Sequence, residues 1–294
     1  MKVLLRKLEA EWPAWTAIAF LLLLPVKRLS EIPLWVFAFA MPFLWRSPVY
    51  GERTRAVFRA ILPLFLCFWI PMLLSGFDSY DPGKSWSQSA VNLRFLLAAV
   101  AIGVLLHQRS RRTQLLMWAS LMLLFWAMDG FIQLFFGFDL FGVPIQGDRL
   151  NAMFFDNYQF YGPVMAMLSP LLLEYGRRHW HGWAWAASFA LITGAVLISG
   201  MRSGWVVMAT VVVVYALLMM RRENRELRRI TLAIPAILVL VFAASYSVSP
   251  LLQQRVAVTL TITEGTTEAL DEATSLRVPI FTHALEMYRD HPVN

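Results

Sequence analysis

The feature that most constrains this chain is a succession of apolar runs on the scale of a membrane span, separated by short connections in which arginines gather at every second turn. A transmembrane helix needs about 20 largely apolar residues, and fewer when it starts in the interface. Runs near Trp12–Val26, Ile32–Trp45, Val57–Ser75, Val91–His107, Thr113–Phe136, Ala152–Tyr175, Trp183–Ser199, Ser203–Met220 and Ile230–Val248 meet that scale. The second is short and reads as a tilted or re-entrant helix. The first follows a charged amino terminus like a signal peptide, but it carries no small-residue cleavage site, so it reads as a retained anchor. The expected fold class is therefore all-α: a polytopic transmembrane helical bundle of about nine spans over residues 1–248, followed by an external segment, 249–294.

The loops orient the bundle. Arg46, Arg53 and Arg55, then Arg109, Arg111 and Arg112, then Arg177 and Arg178, then Arg221, Arg222, Arg225, Arg228 and Arg229 occupy alternate connections, which the positive-inside rule places in the cytoplasm. The intervening loops are poor in Lys and Arg. Asp78, Asp81 and Lys84 occupy one, and Asp139, Asp148 and Arg149 another. These face outward, into a periplasm, and only Lys27 and Arg28 break the pattern. An inside amino terminus and nine spans put everything after Ser249 outside.

Composition excludes a water-soluble globule. The chain is 58% hydrophobic and 15% charged, with a mean hydropathy of +0.56, so lipid has to serve as its solvent. Its 12 Trp and 21 Phe suit wide apolar faces and interfacial belts. The lone Cys67 rules out an intramolecular disulfide and speaks against thiol chemistry. The net charge of +7 lies in short interhelical clusters, which topology explains better than nucleic acid does. No nucleotide-binding glycine fingerprint is present, and His179 and His181 lack the carboxylates or thiols that a metal site needs. No metal and no cofactor are expected.

In the external tail, Val278, Phe281, Leu285 and Tyr288 recur at helical spacing from Ser275 onward, which predicts an amphipathic helix ending near Pro292. It lies on the membrane or covers a cavity. The chain stops at Asn294 directly after a loop signal, which reads as a fragment.

The residues that can carry chemistry are the arginines that defy the charge rule: Arg94 at the outer end of the fourth span, Arg149 just before the sixth, Arg202 between the seventh and eighth, and Arg277 in the tail. A guanidinium near lipid needs an anionic partner or a wet cavity. Each either snorkels to headgroups or pairs with Asp78, Asp148 or Asp156, or else meets an anionic substrate. Arginine holds phosphate through a fixed fork of donors, so several at one leaflet suit a lipid-linked phosphate or diphosphate. The stretch Asp148–Gly162, with Asn157 and several aromatics, adds what a sugar needs beside a phosphate. The turn Ser199–Trp205 either admits a ligand close to its backbone or simply permits a hairpin. Asp129 and Gln133, one turn apart on the fifth span, are either functional or helix-packing groups. His283 and His291 are external but lack a visible orienting partner.

These same residues carry a resemblance. Arg149 before a span opening with Phe155 and Asn157, Arg202 in a Ser/Gly turn before a Val-rich span, and the tail from Arg277 through Tyr288-Arg289-Asp290-His291-Pro292 resemble the O-antigen ligase and O-antigen polymerase superfamily, most of all its ligase branch. The similarity spans roughly Gln133 to Asn294; the first four spans match only in hydropathy. The resemblance implies a helical fold like that of GT-C-type glycosyltransferases in the bacterial inner membrane, with its active face in the periplasm. It further implies metal-independent, inverting transfer of a glycan from undecaprenyl diphosphate to a lipid A-core acceptor or, in the polymerase branch, to another glycan. Arg149 and Arg202, then Arg277 and Arg94, are the expected binders of the carrier diphosphate, with Asn157 beside them. The family's histidine is expected beyond Asn294, which leaves the catalytic residue unassigned. Two other classes stay open: a flippase or transporter of lipid-linked or anionic substrates, and a scaffold whose arginines anchor lipid.

Overall fold

The structure, a computed structural model, describes residues 2–26, 28–77, 79–145, 149–220, 225–260 and 277–290. Among them the chain is helical, with one isolated β-bridge, between Phe138 and Pro144. The helices are α1 (Lys2–Leu23), α2 (Glu31–Arg46), α3 (Gly51–Leu74), α4 (Pro82–Leu105), α5 (Arg109–Phe136), the 3-10 helix η1 (Ala152–Asn157), α6 (Tyr158–His179), α7 (Gly182–Ile198), α8 (Arg202–Met220), α9 (Arg225–Val248), α10 (Pro250–Leu260) and α11 (Arg277–Asp290).

Each of the nine apolar runs is thus helical. By length and apolar composition, α3, α4, α5 and α8 are long enough to cross a membrane among the described residues. The pair formed by α9 and α10, bent by 106°, counts as a fifth only when taken as one broken span, while α7 and the Glu11–Leu23 part of α1 are apolar but shorter. The all-helical, membrane-compatible class is therefore seen, and the full count of nine crossings belongs with the proposals below.

Several helices begin earlier than the apolar runs, and α4 and α3 show why. α4 starts at Pro82 rather than near Val91 because the Asp81 carboxylate accepts from the Lys84 amide at 3.1 Å, with proline in the first helical turn. α3 gains a polar first turn around Thr54, whose hydroxyl donates to the Tyr50 carbonyl at 2.8 Å. Both extensions reach beyond the apolar stretch, which hydropathy alone does not register. Prolines at 63 and 71 in α3, 163 and 170 in α6 and 235 in α9 sit inside helices, as membrane helices tolerate.

The chain forms two compact units, one ending at Trp118 and the other beginning at Ala119. In the first, α4 packs against α2 and α3 around Phe37, Ala98, Val100 and Ala101, all fully buried. Arg94 pairs there with Glu31 at 3.0 Å, and its guanidinium lies over Trp35 and Phe95. Cys67 is exposed on α3, whose apolar window is nowhere buried, as a lipid-facing helix requires. In the second unit, α6 packs on α7 and α8, and α9 on α7 and α8.

Candidate functional site

The second unit gathers one end of its helices around the two stretches that hold Arg149 and Arg202. α5 arrives there with its carboxyl end, α6 leaves with its amino end, α7 arrives and α8 leaves. What joins them is a set of close approaches by small residues. A Cβ on Gly204 in α8 would stand 3.0 Å from the Gly162 carbonyl carbon in α6, and one on Gly162 would collide with the Ser199 hydroxyl. Small residues let membrane helices approach this closely, where dispersion contacts replace the hydrophobic effect as the source of association.

The turn from α7 to α8 is built for that contact. Ser199 caps α7, donating its hydroxyl to the Val196 carbonyl at 2.7 Å, and Gly200 adopts φ +73°, the left-handed conformation that ends helices. The Trp205 indole then donates back to the Leu197 carbonyl at 3.2 Å. Arg202, half-buried, is the first residue of α8. The amino ends of α6 and α8 lie side by side and both carry the positive end of a helix dipole, equivalent to about half an elementary charge each. Arg202 adds a full charge at that end, which makes it a natural place for an anion.

Arg149, also half-buried, precedes a backbone that is firmly tied down. Gln133 of α5 is completely buried. Its Oε1 accepts from the amides of Asn151 at 3.0 Å and Ala152 at 2.8 Å. Its Nε2 donates to the Asn151 Oδ1 at 2.6 Å and to the Val143 carbonyl at 3.2 Å. Ala152 holds φ +42°, a left-handed conformation that costs a non-glycine residue about 1–3 kcal/mol unless its surroundings impose it. One turn earlier in α5, the buried Asp129 accepts from the Leu140 amide at 2.8 Å. Asp139 accepts from the amides of Phe141 and Val143 at 2.9 and 2.8 Å. The two polar residues of α5 thus anchor the loop that follows their own helix, a role their spacing in the sequence singled them out for without specifying.

Below this polar layer the site is aromatic. Tyr161 is fully buried, donates to the Trp126 carbonyl at 3.0 Å and lies against Gly130, while Phe154 packs edge-on to Trp126 at 5.4 Å. An apolar cavity of about 300 Å³ opens between α5, α7 and α9, lined by Phe131, Phe135, Leu191, Gly194, Ile198 and Val248. Ser249 then turns the chain: its hydroxyl accepts from the Leu252 amide at 3.2 Å, and α10 leaves at 106° to α9. Sequence reasoning missed α10, although Ser249-Pro250 is a helix-start signal.

Of the remaining sequence-predicted residues, Arg94 lies in the first unit on Glu31. Asn157 closes η1 and Arg277 opens α11, while their side chains lie outside the described residues. So do the side chain of Asp156 and the whole of Asp78, Asp148 and His291. The tail helix forms as its spacing predicts, with Ile280, Phe281, Leu285 and Met287 exposed. At the other end of α6, Glu174 is held by Arg177 and Arg178, and His179 stacks on Tyr175 at 4.6 Å. Among the described residues, no group of three or more His, Cys, Asp or Glu could hold a metal ion.

Compared with known proteins, residues 187–294 match the O-antigen ligase family model. The match takes in α8 with Arg202 and α11 with Arg277, and it bears out the resemblance to the O-antigen ligase and polymerase superfamily over that stretch. Membrane glycan processing of that general kind follows from it. No curated protein and no solved structure matches the chain.

Proposed function

We propose that this protein transfers a glycan from undecaprenyl diphosphate to lipid A-core on the periplasmic face of the bacterial inner membrane, within a bundle of nine spans. Arg149 and Arg202 hold the carrier diphosphate. The observation that carries this reading is the side-by-side placement of the α6 and α8 amino ends with Arg202 at the head of α8, inside the region matched by the O-antigen ligase family.

The chemistry follows from charge. An acceptor hydroxyl oxygen bonds to the anomeric carbon, the bond from that carbon to the diphosphate oxygen breaks, and the hydroxyl proton passes to a base. Negative charge grows on the leaving diphosphate, so guanidinium groups fixed in advance stabilise the transition state more than the bound donor. Attack from the face opposite the leaving group inverts the anomeric carbon. The apolar cavity beside Ile198 suits the isoprenoid chain of such a donor, whose head would then lie at the α8 end. Arg277, at the start of α11, is the next candidate for the diphosphate, and the exposed apolar residues of α11 suit a helix resting on lipid or over the site.

The test is complementation of a strain lacking the gene. Wild type restores polysaccharide attached to lipid A-core, whereas Arg149→Ala and Arg202→Ala reach the membrane and do not. Elongated but unattached polymer under wild type would assign the chain to the polymerase branch, and attachment by both variants would contradict the diphosphate role.

A further inference from the structure

We infer that Gln133 is a positioning residue that sets the place of Arg149 through a buried clamp on Asn151 and Ala152; the inference rests on the diphosphate reading of Arg149. The clamp spends the whole side-chain amide. Both backbone amides that follow Leu150 donate to one oxygen of Gln133, and its nitrogen donates to the Asn151 side chain and to the Val143 carbonyl. Gln133, Leu150, Asn151 and Ala152 are all completely buried. Asn151 is held a third way, because its own carbonyl accepts from the Phe154 amide at 2.9 Å in the first turn of η1. All four residues are shielded from bulk solvent, so each bond lost leaves a buried donor or acceptor in need of a partner.

Why should a chain fix this point so firmly? Helix packing alone does not require it, since Leu150 and Phe154 already bury apolar surface on either side. The strained φ of +42° at Ala152 is informative here. Strain of that kind persists only where neighbours over-determine it, and it collects at functional positions. The left-handed residue breaks the run of the chain into η1, and Arg149 is attached three residues before it. A guanidinium on a long flexible stem binds an anion with a fixed fork only when its Cα is fixed, and the Gln133 clamp fixes it. Gln133 touches no substrate in this account; it acts through Arg149.

The experiment is a double-mutant cycle on the whole protein in proteoliposomes, reading kcat/KM for a lipid-linked diphosphate donor. Gln133→Ala is expected to lower kcat/KM by about ten- to a hundred-fold, the range a displaced binding group produces. In an Arg149→Ala background the same change is expected to cost less than about two-fold, because the residue it positions is gone. Asn151→Ala, which removes one of the four bonds and is the milder test of folding, should show a smaller loss with the same dependence on Arg149. Equal losses in both backgrounds would mean general structural damage and overturn the inference. Full activity of Gln133→Ala would overturn it too. Wild-type kcat/KM for Arg149→Ala alone would instead remove the diphosphate reading and the clamp's purpose with it.

Discussion

Gly204 and Gly162 bring α8 and α6 together backbone to backbone: a Cβ on the first would lie 3.0 Å from the carbonyl carbon of the second. Neither atom belongs to a flexible side chain, so the helices themselves have to move when volume is added. Gly204→Val is expected to cost about 1–3 kcal/mol, the usual cost of overpacking, and to abolish transfer by separating the two helix ends. Gly182→Ala, where an added Cβ meets nothing within 4 Å, should change neither. Thermal unfolding in detergent and the transfer assay check both.

Gly130 and Tyr161 form a second such contact inside the aromatic layer. Gly130→Ala drives a methyl into the Tyr161 hydroxyl and is expected to destabilise by about 1–3 kcal/mol. Tyr161→Phe alone loses the bond to the Trp126 carbonyl, worth about 0.5–1.5 kcal/mol. The double variant should lose less than the sum, because removing the hydroxyl opens room for the methyl. Unfolding midpoints at matched detergent decide it, and strict additivity would contradict the contact.

Arg94 is expected to behave as a structural residue. It meets a carboxylate, Glu31, whose side chain is 44% exposed, and it lies over two aromatic rings. Arg94→Ala should cost about 1 kcal/mol of stability and leave the donor KM at the wild-type value. A raised KM would return Arg94 to the binding site.

The helices were legible because lipid enforces the simplest rule in protein structure: backbone amides must bond internally, so long apolar runs become helices. The nine runs coincide with helices for that reason. Helix starts at Gly51 and Pro82 were not legible from hydropathy, since caps and polar first turns lie outside the apolar slab. Asp129 and Gln133 could be picked out by their spacing, but not their purpose, because their partners, from Leu140 to Ala152, come from a loop whose path no periodicity encodes. Arg94 had the same signature as Arg149 and Arg202, a cation on the wrong side of the charge rule, and its pairing with Glu31 was not legible because the two are 63 residues apart in the sequence.

The orientation drawn from the loop arginines makes its own prediction. With Cys67 changed to Ser, a cysteine at the exposed Glu286 in α11 should react with a membrane-impermeant maleimide in cells whose outer membrane alone is permeabilised. A cysteine at the exposed His181, between α6 and α7, should react only after the inner membrane is opened. The reverse pattern would invert the topology and move the arginine site to the cytoplasm.

The most direct test of the account is equilibrium binding of an isoprenyl diphosphate to the purified protein, with the isoprenyl monophosphate as comparison. Two guanidinium groups on a diphosphate predict tighter binding of the diphosphate. They also predict a loss of about ten-fold or more for Arg149→Ala and for Arg202→Ala, each about 1.4 kcal/mol or above. Equal affinity of wild type and both variants would show that these arginines do not hold the carrier, and the proposed site would fall with them.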